Sequence, residues 1–534
     1  MKRPLGAQIS HMLKDRGVDT IFGIPGVHNI EMYRGIEEAG ITHILARHEQ
    51  GAGFMADGYA RATGKPGVAY VITGPGLTNI MTAMGQAYSD SVPMLVISSC
   101  LDETAATRGQ LHQMKDQRGA AATVCDWSEE ARTAEAAYQL IDRAFLEFQT
   151  RRKRPKHVQV PISLLSETAA PPEKPRDSWP NLGNHPHREA EVRELIKASR
   201  RPLVILGGGA VETDVFEEAL DLIYPIQAAV FETYAGRGIV PTDYPFNFGA
   251  TLGRPMSKEI VASADLVIAI GTSLDEGDLW RSHLGHKSTL VRIDIEPAVL
   301  ADRHRADVQV LGDCRWFLSA LTKSFADKEQ SSDWSADEVA QFRSKARSET
   351  DAERPGIVPI CDALRECLPE DTLMYSDMTQ FAYVAKEVWD MAKPGLWHHP
   401  TGFGTLGYAL PAAIGGAVAL RKLGALEPRT IAIAGDYGFQ YTLQELGTAV
   451  ELGLPLPILI WDNAKLKEIE DSMVASQIAP NAVVARNPDF LALARAYGAH
   501  AVQPGTLAEL QKATLAALRA DRPTLIRMTP DLTA

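Results

Sequence analysis

The sequence predicts three doubly wound α/β domains, each built on a parallel β-sheet. The chain has 534 residues, several times the ~100–200 residues that one hydrophobic core usually organises. Short apolar runs alternate with amphipathic helical patterns along its whole length. That alternation is typical of parallel sheets whose two faces are covered by helices.

Two polar stretches divide the chain into these domains. Residues 168–188 are rich in Pro and Asn, and residues 325–355 are strongly polar with the pattern of a solvated helix. We therefore expect domains at residues 1–170, 189–325 and 356–534.

Short, nearly continuous apolar runs mark the strands of each predicted sheet. The predicted strands are Val68–Thr73 and Met94–Ser98 in the first domain, Pro202–Leu206, Asp265–Ile270 and Leu290–Ile295 in the second, and Thr430–Ala434 and Leu456–Trp461 in the third. In such sheets ligands bind beyond the carboxyl ends of the strands. We expect the functional residues at those ends.

Composition excludes several classes of function. Hydrophobic residues make up 45% and charged residues 23% of the chain, and the formal net charge is −13. An acidic protein of this kind is not expected to bind nucleic acid or an anionic membrane surface, because both need a basic face. The one basic run, residues 151–156 (RRKRPK), is interpreted as a solvated loop.

Cysteine usage and the N-terminal sequence predict a cytoplasmic protein. The five cysteines are scattered and none has CxxC spacing, so neither a disulfide framework nor a zinc site is expected. The first residues, MKRPLGAQISHML, lack the apolar segment of a signal peptide. No apolar run approaches the ~20 residues that span a bilayer.

Glu49 lies at the first strand end that carries a candidate catalytic group. We expect a strand over Ile44–His48 to run into Glu49, followed by a helix over Gln50–Thr63 whose many small residues allow close packing on a neighbouring element. By local pattern alone, Glu49 is interpreted as a helix-capping carboxylate, which the helix dipole favours.

The surrounding residues resemble the pyrimidine-binding domain of thiamine diphosphate (ThDP) enzymes of the acetolactate synthase and 2-oxo acid decarboxylase type. The resemblance rests on residues 48–67 (HEQGAGFMADGYARATGKPG), 71–79 (VITGPGLTN) and 89–99 (SDSVPMLVISS). It implies that Glu49 hydrogen-bonds a ring nitrogen of the cofactor's aminopyrimidine and favours the tautomer that removes the proton from the thiazolium C2.

The same resemblance implies roles for several loop residues of the first domain. Cofactor-binding residues would be Gly26, Thr73, Gly76 and Asn79, and polar side chains facing the substrate would be His112 and Gln113. A plain strand-to-helix turn at residues 73–79 and a solvated loop around His112 are the alternatives.

The third domain resembles the diphosphate-binding domain of the family, whose signature is Gly-Asp-Gly followed by an asparagine pair just under thirty residues later. Here Gly435 and Asp436 follow one predicted strand, and Asn463 follows another, 27 residues after Asp436 (463 − 436). A carboxylate and an amide oxygen at two strand ends suit Mg²⁺, which prefers oxygen ligands and bridges to phosphate. The resemblance adds the backbone carbonyl of Lys465 as a third ligand.

Further cofactor-binding residues follow from the resemblance over residues 377–380 (DMTQ) and 399–416. They are Asp377, Gln380, Gly404 and Leu406, and the Gly-Asp-Gly signature adds Gly435, Tyr437 and Gly438. Leu406 matches the apolar residue that holds the cofactor in its bent shape.

Two departures from the family pattern affect the diphosphate site. Tyr437 stands where the signature has its third residue, a glycine, and Ala464-Lys465 stand where relatives often read Asp-Gly. If the position of Lys465 requires a positive φ, a lysine costs ~1 kcal/mol relative to glycine. A homologue that has lost ThDP and performs other chemistry therefore stays open as an alternative.

The middle domain contains a Gly-rich turn after a strand (residues 203–210, LVILGGGA) and an acidic pair near another strand end (residues 292–297, RIDIEP). Such a turn alone is weak evidence for a nucleotide site. We do not predict FAD.

Within the superfamily the sequence resembles 5-guanidino-2-oxopentanoate (2-ketoarginine) decarboxylases. The shared stretches include residues 22–35 (FGIPGVHNIEMYRG), 111–119 (LHQMKDQRG) and 487–501 (NPDFLALARAYGAHA). The resemblance implies non-oxidative decarboxylation of a 2-oxo acid to an aldehyde and CO₂, in a homodimer or homotetramer whose cofactor lies between two subunits. A carboligase of the acetolactate synthase kind is the alternative.

A guanidinium substrate would need carboxylate partners. Glu468, Glu470 and Asp471 follow Asn463 on a predicted helix, and we hypothesise that they bind the substrate. A solvated helix face is the alternative interpretation of these three residues.

Overall fold

The computed structural model of the chain describes residues 1–103, 109–175, 186–325, 330–425, 427 and 429–532. Three sheets with parallel strand pairs, each accompanied by helices, confirm the predicted fold class. The chain divides into two compact units: residues 1–180, 373–379 and 399–534 form the first, and residues 181–372 and 380–398 form the second.

The first sheet belongs to the first unit. Its strands are β2 (Thr20–Gly23), β3 (Thr42–Leu45), β4 (Gly67–Val71), β5 (Met94–Cys100), β6 (Trp127–Glu130) and β7 (Lys156–Pro161), in the order β3-β2-β4-β5-β7-β6 with every pair parallel. Its helices are α1 (Leu5–Asp15), α2 (Ile30–Tyr33), α3 (Glu49–Thr63), α4 (Pro75–Ser89), α5 (Gln117–Ala122), α6 (Ala134–Thr150) and α7 (Ile162–Ser166). The short strands β1 (Arg3–Pro4) and β8 (Thr168–Ala169) pair antiparallel.

The second sheet belongs to the second unit. Its strands are β9 (Pro202–Leu206), β10 (Ala229–Glu232), β11 (Leu266–Ile270), β12 (Thr289–Asp294) and β13 (Val308–Leu311), in the order β10-β9-β11-β12-β13 and all parallel. The helices of this part are α8 (Pro186–Ala198), α9 (Gly208–Glu212), α10 (Phe216–Ile226), α11 (Ser257–Ser263), α12 (Glu276–Leu279), α13 (Pro297–Leu300), α14 (Cys314–Thr322), α15 (Ala336–Glu353), α16 (Val358–Cys367) and α17 (Gln380–Val388).

The third sheet carries the predicted diphosphate site. Its strands are β14 (Leu373–Ser376), β15 (Trp397–His398), β16 (Thr430–Gly435), β17 (Pro457–Trp461), β18 (His500–Val502) and β19 (Thr524–Met528), in the order β15-β14-β16-β17-β19-β18. Its helices are α18 (Ala409–Lys422), α19 (Asp436–Thr442), α20 (Glu445–Glu451), α21 (Lys467–Ala475), α22 (Phe490–Ala496) and α23 (Leu507–Ala517). Every residue of β16 and β17 is buried, as expected for strands covered on both faces.

Helix α3 packs directly on α18, which confirms the close packing predicted from its small residues. A Cβ on Gly58 would collide with the carbonyl of Ala412, and a Cβ on Gly415 would collide with the carbonyl of Met55. The glycines therefore let the two helix backbones touch.

The predicted end of the strand before Glu49 is wrong. Strand β3 ends at Leu45 and not at His48, because the backbone N–H groups that follow Ala46 have a different partner. The N–H groups of Arg47 and His48 donate to the carboxylate of Glu445 instead of a neighbouring strand.

The second polar stretch contains the predicted helix, α15, but the helix is not fully solvated. Val339, Phe342 and Ala346 are buried along one of its faces, so the helix contributes to the core of its unit. Parts of both polar stretches, residues 176–185 and 326–329, lie outside the described residues. Among the helices that the structure describes, none combines the length and the apolar character needed to cross a membrane.

Candidate active site

Glu49 is the first residue of α3, and the chain holds its carboxylate in a defined position. His48 is the N-cap, and its Nδ1 accepts the Gln50 N–H at 3.1 Å. The Glu49 side chain is buried, with 9% of the residue exposed. The Asn79 amide donates to Glu49 Oε2 at 2.9 Å, so two residues predicted as part of one site are in contact.

Glu445 fixes the backbone that leads into Glu49. Its fully buried carboxylate accepts the N–H groups of Arg47 at 3.0 Å and of His48 at 2.9 Å, and the Thr448 hydroxyl at 2.9 Å. Burial raises the pKa of Glu445 to about 7, against the lowering effect of these hydrogen bonds. Sequence analysis missed Glu445, because no spacing rule links it to residues almost 400 positions earlier.

The loop after β4 is tied to the sheet by side-chain hydrogen bonds. The Thr73 N–H donates to Ser99 Oγ at 3.1 Å, and the Gly74 N–H donates to the Gln117 side-chain oxygen at 2.9 Å. A Cβ on Gly76 would lie 2.7 Å from Ile72 Cγ2 and 3.4 Å from Glu49 Oε1. Thr73 therefore points back to β5, whereas Gly76 lies beside the Glu49 carboxylate.

Gly26 lies in the loop after β2, where Asn29 fixes the turn. The Gly26 N–H donates to Asn29 Oδ1 at 2.7 Å, and a Cβ on Gly26 would collide with the Ile72 side chain. The position therefore requires glycine for packing, whatever its contact with a cofactor.

His112 contacts a histidine that sequence analysis did not single out, His28. Their ring centroids are 4.7 Å apart at an interplanar angle of 73°, and the two Nδ1 atoms are 3.3 Å apart. Burial and the neighbouring His112 lower the pKa of His28. Gln113 turns its side chain toward its own loop, where Oε1 accepts the Gln110 N–H at 3.3 Å.

Asp436 begins α19 directly after β16, beside Asp462 at the end of β17. Gly435 pairs in register with Trp461, so the two aspartates leave the sheet next to each other. Asn487 Nδ2 donates to Asp436 Oδ2 at 2.6 Å and to Asp462 Oδ1 at 2.8 Å, and Arg527 pairs with Asp462 at 2.7 Å. Burial, with a further contribution from Asp462, raises the pKa of Asp436 to about 6.

The positive φ expected at Lys465 falls one residue earlier. Ala464 has φ 56°, and Lys465 is outside the left-handed region. The Lys465 N–H donates to Asn463 Oδ1 at 3.1 Å, and Lys465 forms an antiparallel bridge with Val484. The strain of the left-handed conformation, about 1 kcal/mol, therefore falls on Ala464 and not on Lys465. The hydrogen bond from the Lys465 N–H to Asn463 is a contact within the same turn.

Asp377 is a buried carboxyl that contacts Gly407 and the predicted site residue Gly438. It accepts the Gly407 N–H at 2.8 Å, and burial raises its pKa to about 7. A Cβ on Gly438 would lie 2.6 Å from Asp377 Oδ2, so Gly438 is required for this packing.

The other predicted diphosphate residues occupy varied positions. Tyr437 is half-buried in α19 with its ring centroid 6.2 Å from that of Tyr441, Leu406 is half-buried, and Gly404 has φ 67°. Gln380 is the first residue of α17 and belongs to the second unit.

Two of the three carboxylates proposed for the substrate, Glu470 and Asp471, already have cationic partners. Glu470 accepts two hydrogen bonds from Lys465 Nζ, at 2.9 and 3.2 Å, and Lys467 pairs with Asp471. All lie on or beside α21, as predicted. A guanidinium ligand at Glu470 would therefore compete with Lys465.

The oxygen atoms at the ends of β16 and β17 suit a hard divalent cation. Asp436 and Asp462 are two adjacent carboxylates, and the raised pKa of Asp436 means that the ionised form of its side chain is disfavoured. A cation would stabilise the ionised carboxylates, and Asn463 would supply an amide oxygen as a further ligand. In the described part of the chain, no three His, Cys, Asp or Glu side chains are arranged to hold a metal ion, so such a cation would need backbone, amide or ligand oxygens as well.

Comparison with known proteins matches the three sheets to three family models. Residues 3–120 match the N-terminal TPP binding domain of thiamine pyrophosphate enzymes, residues 190–321 their central domain, and residues 377–528 their C-terminal TPP binding domain.

Curated relatives match the chain over almost its full length. The chain is 41% identical to the probable 2-ketoarginine decarboxylase AruI of Pseudomonas aeruginosa, over 98% of this chain and 93% of that protein. It is 28% identical to the acetolactate synthase isozyme 2 large subunit of Escherichia coli, over 98% and 95%, and 28% identical to the isozyme 3 large subunit, over 92% and 88%. The chain therefore belongs to the thiamine pyrophosphate enzyme family.

Proposed function

We propose that this protein is a ThDP- and Mg²⁺-dependent decarboxylase that converts 2-ketoarginine, or a closely related 2-oxo acid, to an aldehyde and CO₂. The identity to the probable 2-ketoarginine decarboxylase supports the substrate class, since 41% identity extends over 98% of the chain. The observation that carries the proposal is the buried Glu49 carboxylate with its Asn79 hydrogen bond.

Glu49 would hold the pyrimidine end of the cofactor. A buried carboxyl group next to an apolar wall can share a proton with a ring nitrogen, and Ile72 lines the neighbouring loop. Asn79 and the Glu445-bound backbone keep this carboxyl group oriented. When bound, ThDP supplies the electron sink that lets the carboxylate of a 2-oxo acid leave as CO₂.

Asp436, Asn463 and the backbone carbonyl of Lys465 would hold Mg²⁺ at the diphosphate end, with Asp462 beside them. Asn487 already bridges the two aspartates, and reorientation of its amide would turn an oxygen toward the cation. Gly435, Gly438 and the buried Asp377 would shape the backbone that meets the diphosphate.

A second copy of the chain would complete the site. Large apolar side chains are exposed near both half-sites, each at least 49% exposed: Val27, Ile30, Leu111, Ile469, Val474 and Ile478. Val27 and Ile30 are close in sequence, Ile469 and Val474 both lie on α21, and groups of exposed apolar side chains mark interaction surfaces. We therefore propose a homodimer at minimum, in which Glu49 of one subunit and Asp436 of the other serve one cofactor.

Carboligation in the manner of acetolactate synthase is the second candidate, supported by 28% identity to acetolactate synthase isozyme 2 over 98% of the chain. Incubation with pyruvate separates the two candidates. A decarboxylase gives acetaldehyde, whereas a carboligase gives acetolactate.

The departures at Tyr437 and Ala464-Lys465 make cofactor binding the first point to test. Calorimetric titration of ThDP in the presence of Mg²⁺ should release heat and raise the melting temperature. Neither effect in a folded protein would support a fold that has lost ThDP and acquired another role.

Catalysis is tested with 2-ketoarginine, ThDP and Mg²⁺. We expect CO₂ and a guanidino aldehyde in equal amounts, and neither product when ThDP is omitted. E49Q should bind the substrate but lose at least about 100-fold in kcat, the usual contribution of one acid–base group. The exposed-carboxylate variant E370Q is the control and should match the wild type.

Substitutions in α21 test whether its carboxylates recognise the positive charge of the substrate. If Glu468, Glu470 and Asp471 bind the guanidinium, E468Q, E470Q and D471N should raise KM for 2-ketoarginine more than KM for an uncharged 2-oxo acid. Equal changes for both substrates would remove these residues from the proposal and leave the decarboxylase assignment intact.

A further inference from the structure

A buried glutamine connects the start of α4 to strand β5. Gln117 is the first residue of α5 and is 5% exposed. Its Oε1 accepts the Gly74 N–H at 2.9 Å, and its Nε2 donates to the Ser99 carbonyl at 2.9 Å and to Ser98 Oγ at 3.1 Å. Both ends of the amide are therefore used within the protein.

The two backbone partners fix the orientation of this amide. A backbone N–H can only donate a hydrogen bond and a backbone carbonyl can only accept one. The oxygen of Gln117 must therefore face Gly74, and its nitrogen must face Ser99. A rotated amide would place a donor against the Gly74 N–H and an acceptor against the Ser99 carbonyl.

The hydrogen bonds continue from Ser98 to a fully buried histidine. Ser98 Oγ lies 2.8 Å from His157 Nε2, and Ser128 Oγ lies 2.7 Å from His157 Nδ1. Burial lowers the pKa of His157 to about 3, so its ring is neutral near pH 7 and presents one donor and one acceptor to the two serines. This support for Gln117 therefore keeps the same hydrogen bonds across the neutral pH range.

Gly74, the residue that Gln117 holds, is the N-cap of α4. Its φ of 73° lies in the left-handed region that favours glycine. Its carbonyl accepts the Thr78 N–H at 3.0 Å, the first hydrogen bond of the helix. Because Gln117 bonds the N–H of the same residue, the amide of Gln117 helps to set where α4 begins.

The first residues of α4 contact Glu49 at two points. The Asn79 amide donates to Glu49 Oε2 at 2.9 Å, and a Cβ on Gly76 would lie 3.4 Å from Glu49 Oε1. A shift of these residues would change both the hydrogen bond to the carboxylate and the packing beside it. Gln117 is thus connected to Glu49 through the backbone of one helix.

Packing alone does not explain a polar network at this depth. An apolar side chain could fill the position of Gln117 without needing hydrogen-bond partners, whereas a buried amide requires them. A buried network whose members are bonded to one another selects one arrangement of the surrounding backbone. A catalytic carboxylate needs such a fixed arrangement around it.

We propose, on the basis of the proposed function, that Gln117 is a positioning residue for Glu49. Its amide holds Gly74 and the first residues of α4, so that Asn79 keeps the Glu49 carboxyl group oriented for proton exchange with the pyrimidine ring. Gln117 is not a catalytic residue, because its amide atoms are bonded within the protein. Its effect on the reaction passes through Glu49.

The first test replaces Gln117 by methionine, which has a similar length but makes neither hydrogen bond. Q117M should lower kcat about 10- to 100-fold, the range that a small displacement of a catalytic group produces. KM for 2-ketoarginine should remain almost unchanged. The control is Q341M, which alters an exposed glutamine of α15 and should match the wild type.

The second variant, Q117E, should show a rescue that depends on pH. A protonated glutamic acid can accept the Gly74 N–H and donate its O–H to the Ser99 carbonyl, whereas an ionised carboxylate has no donor. Burial raises the pKa of a carboxyl group, so the side chain should be protonated at about pH 6 and should ionise as the pH rises. The kcat of Q117E relative to the wild type should therefore be highest at about pH 6 and fall at higher pH, while that of Q117M stays low throughout.

A double variant tests whether the effect passes through Glu49. Once Glu49 is replaced, its orientation no longer matters, so E49Q/Q117M should be no slower than E49Q. A further 10-fold or greater loss in the double variant would show that Gln117 acts on another part of the site and would overturn its positioning role.

Amide hydrogen exchange of the cofactor-free protein tests the same contact without catalysis. Mass spectrometry of peptides that cover residues 72–80 should show several-fold faster exchange in Q117M, with Q341M at the wild-type rate. Unchanged exchange together with a wild-type kcat in Q117M would overturn the proposal. If the wild-type protein releases no CO₂, the proposed function fails, but faster exchange in Q117M would still support the link from Gln117 to α4.

Discussion

At the residue scale, Asn487 explains how two adjacent carboxylates persist at the ends of β16 and β17. Its amide donates to Asp436 and Asp462 together. These hydrogen bonds reduce the repulsion between the two carboxylates and oppose the rise in the pKa of Asp436 that burial and, to a lesser extent, Asp462 cause. The two aspartates follow register-paired residues, so their proximity could be predicted from the strand ends. Asn487 lies in a segment without a strand or helix before α22, and no periodicity indicates where such a side chain points.

Replacing Asn487 should expose this repulsion. We expect N487A to lower the free energy of unfolding by about 1–3 kcal/mol in the absence of divalent cations, the usual cost of buried acceptors that lose their donor. Added Mg²⁺ should then raise the melting temperature of N487A more than that of the wild type. Differential scanning calorimetry with and without Mg²⁺ measures both effects.

The matched control is N481A, which removes an exposed asparagine amide that bonds only a nearby carbonyl. Its melting temperature should follow that of the wild type at every Mg²⁺ concentration. Equal Mg²⁺ responses in N487A and the wild type would contradict the role assigned to Asn487.

At the scale of elements, the N-terminus of α3 depends on a carboxylate from a distant part of the chain. Glu445 accepts the two N–H groups just before Glu49, and this contact ends β3 three residues before the predicted boundary. Apolar patterning identifies a strand, but the hydrogen-bond partner that ends it is set by tertiary structure. Strands such as β9, whose ends are set by burial within the sheet, match their predicted bounds.

The raised pKa of Glu445 predicts how the stability of the protein depends on pH. Between pH about 4.5, the usual pKa of a glutamate, and pH about 7, Glu445 of the folded protein retains a proton that the unfolded chain has lost. The free energy of unfolding therefore falls as pH rises through this window. E445Q lacks this titrating group. From pH 4.5 to 7 the melting temperature of the wild type should therefore fall relative to that of E445Q. Above pH 7 the two curves of melting temperature against pH should be parallel.

Thermal melts at half-unit pH steps measure this difference. E451Q, which changes an exposed carboxylate of α20 that pairs with Arg47, should show no such divergence. Parallel curves for E445Q and the wild type from pH 4.5 to 7 would contradict the burial of an ionisable group at this position.

The packing of α3 on α18 makes a second prediction at this scale. In G58A the new methyl group would meet the Ala412 carbonyl, and such overpacking costs about 1–3 kcal/mol. That cost outweighs the ~1 kcal/mol that alanine adds to a helix over glycine. G447A in α20 is the control, because its Cβ would meet neighbours at an ordinary 3.5 Å and should be neutral or stabilising in chemical denaturation.

At the scale of the whole molecule, sequence predicted the class of fold and the edges of the sheets that carry the candidate site. The parallel sheets follow from continuous apolar strands, and Glu49 and Asp436 each begin the helix that follows a strand. The positions of His28, Glu445 and Asn487 depend on contacts between segments far apart in sequence. Such contacts follow from packing, which local propensity and spacing do not determine.

We propose that one cofactor is held by Glu49 of one subunit and Asp436 of its partner. The most direct test uses a heterodimer of E49Q and D436N, isolated by two affinity tags. Each variant homodimer should be inactive, since both of its sites lack a required group. The heterodimer has one site with both groups intact and one with neither, so it should release CO₂ from 2-ketoarginine at about half the wild-type rate per dimer. An inactive, folded heterodimer that still binds ThDP would contradict the claim.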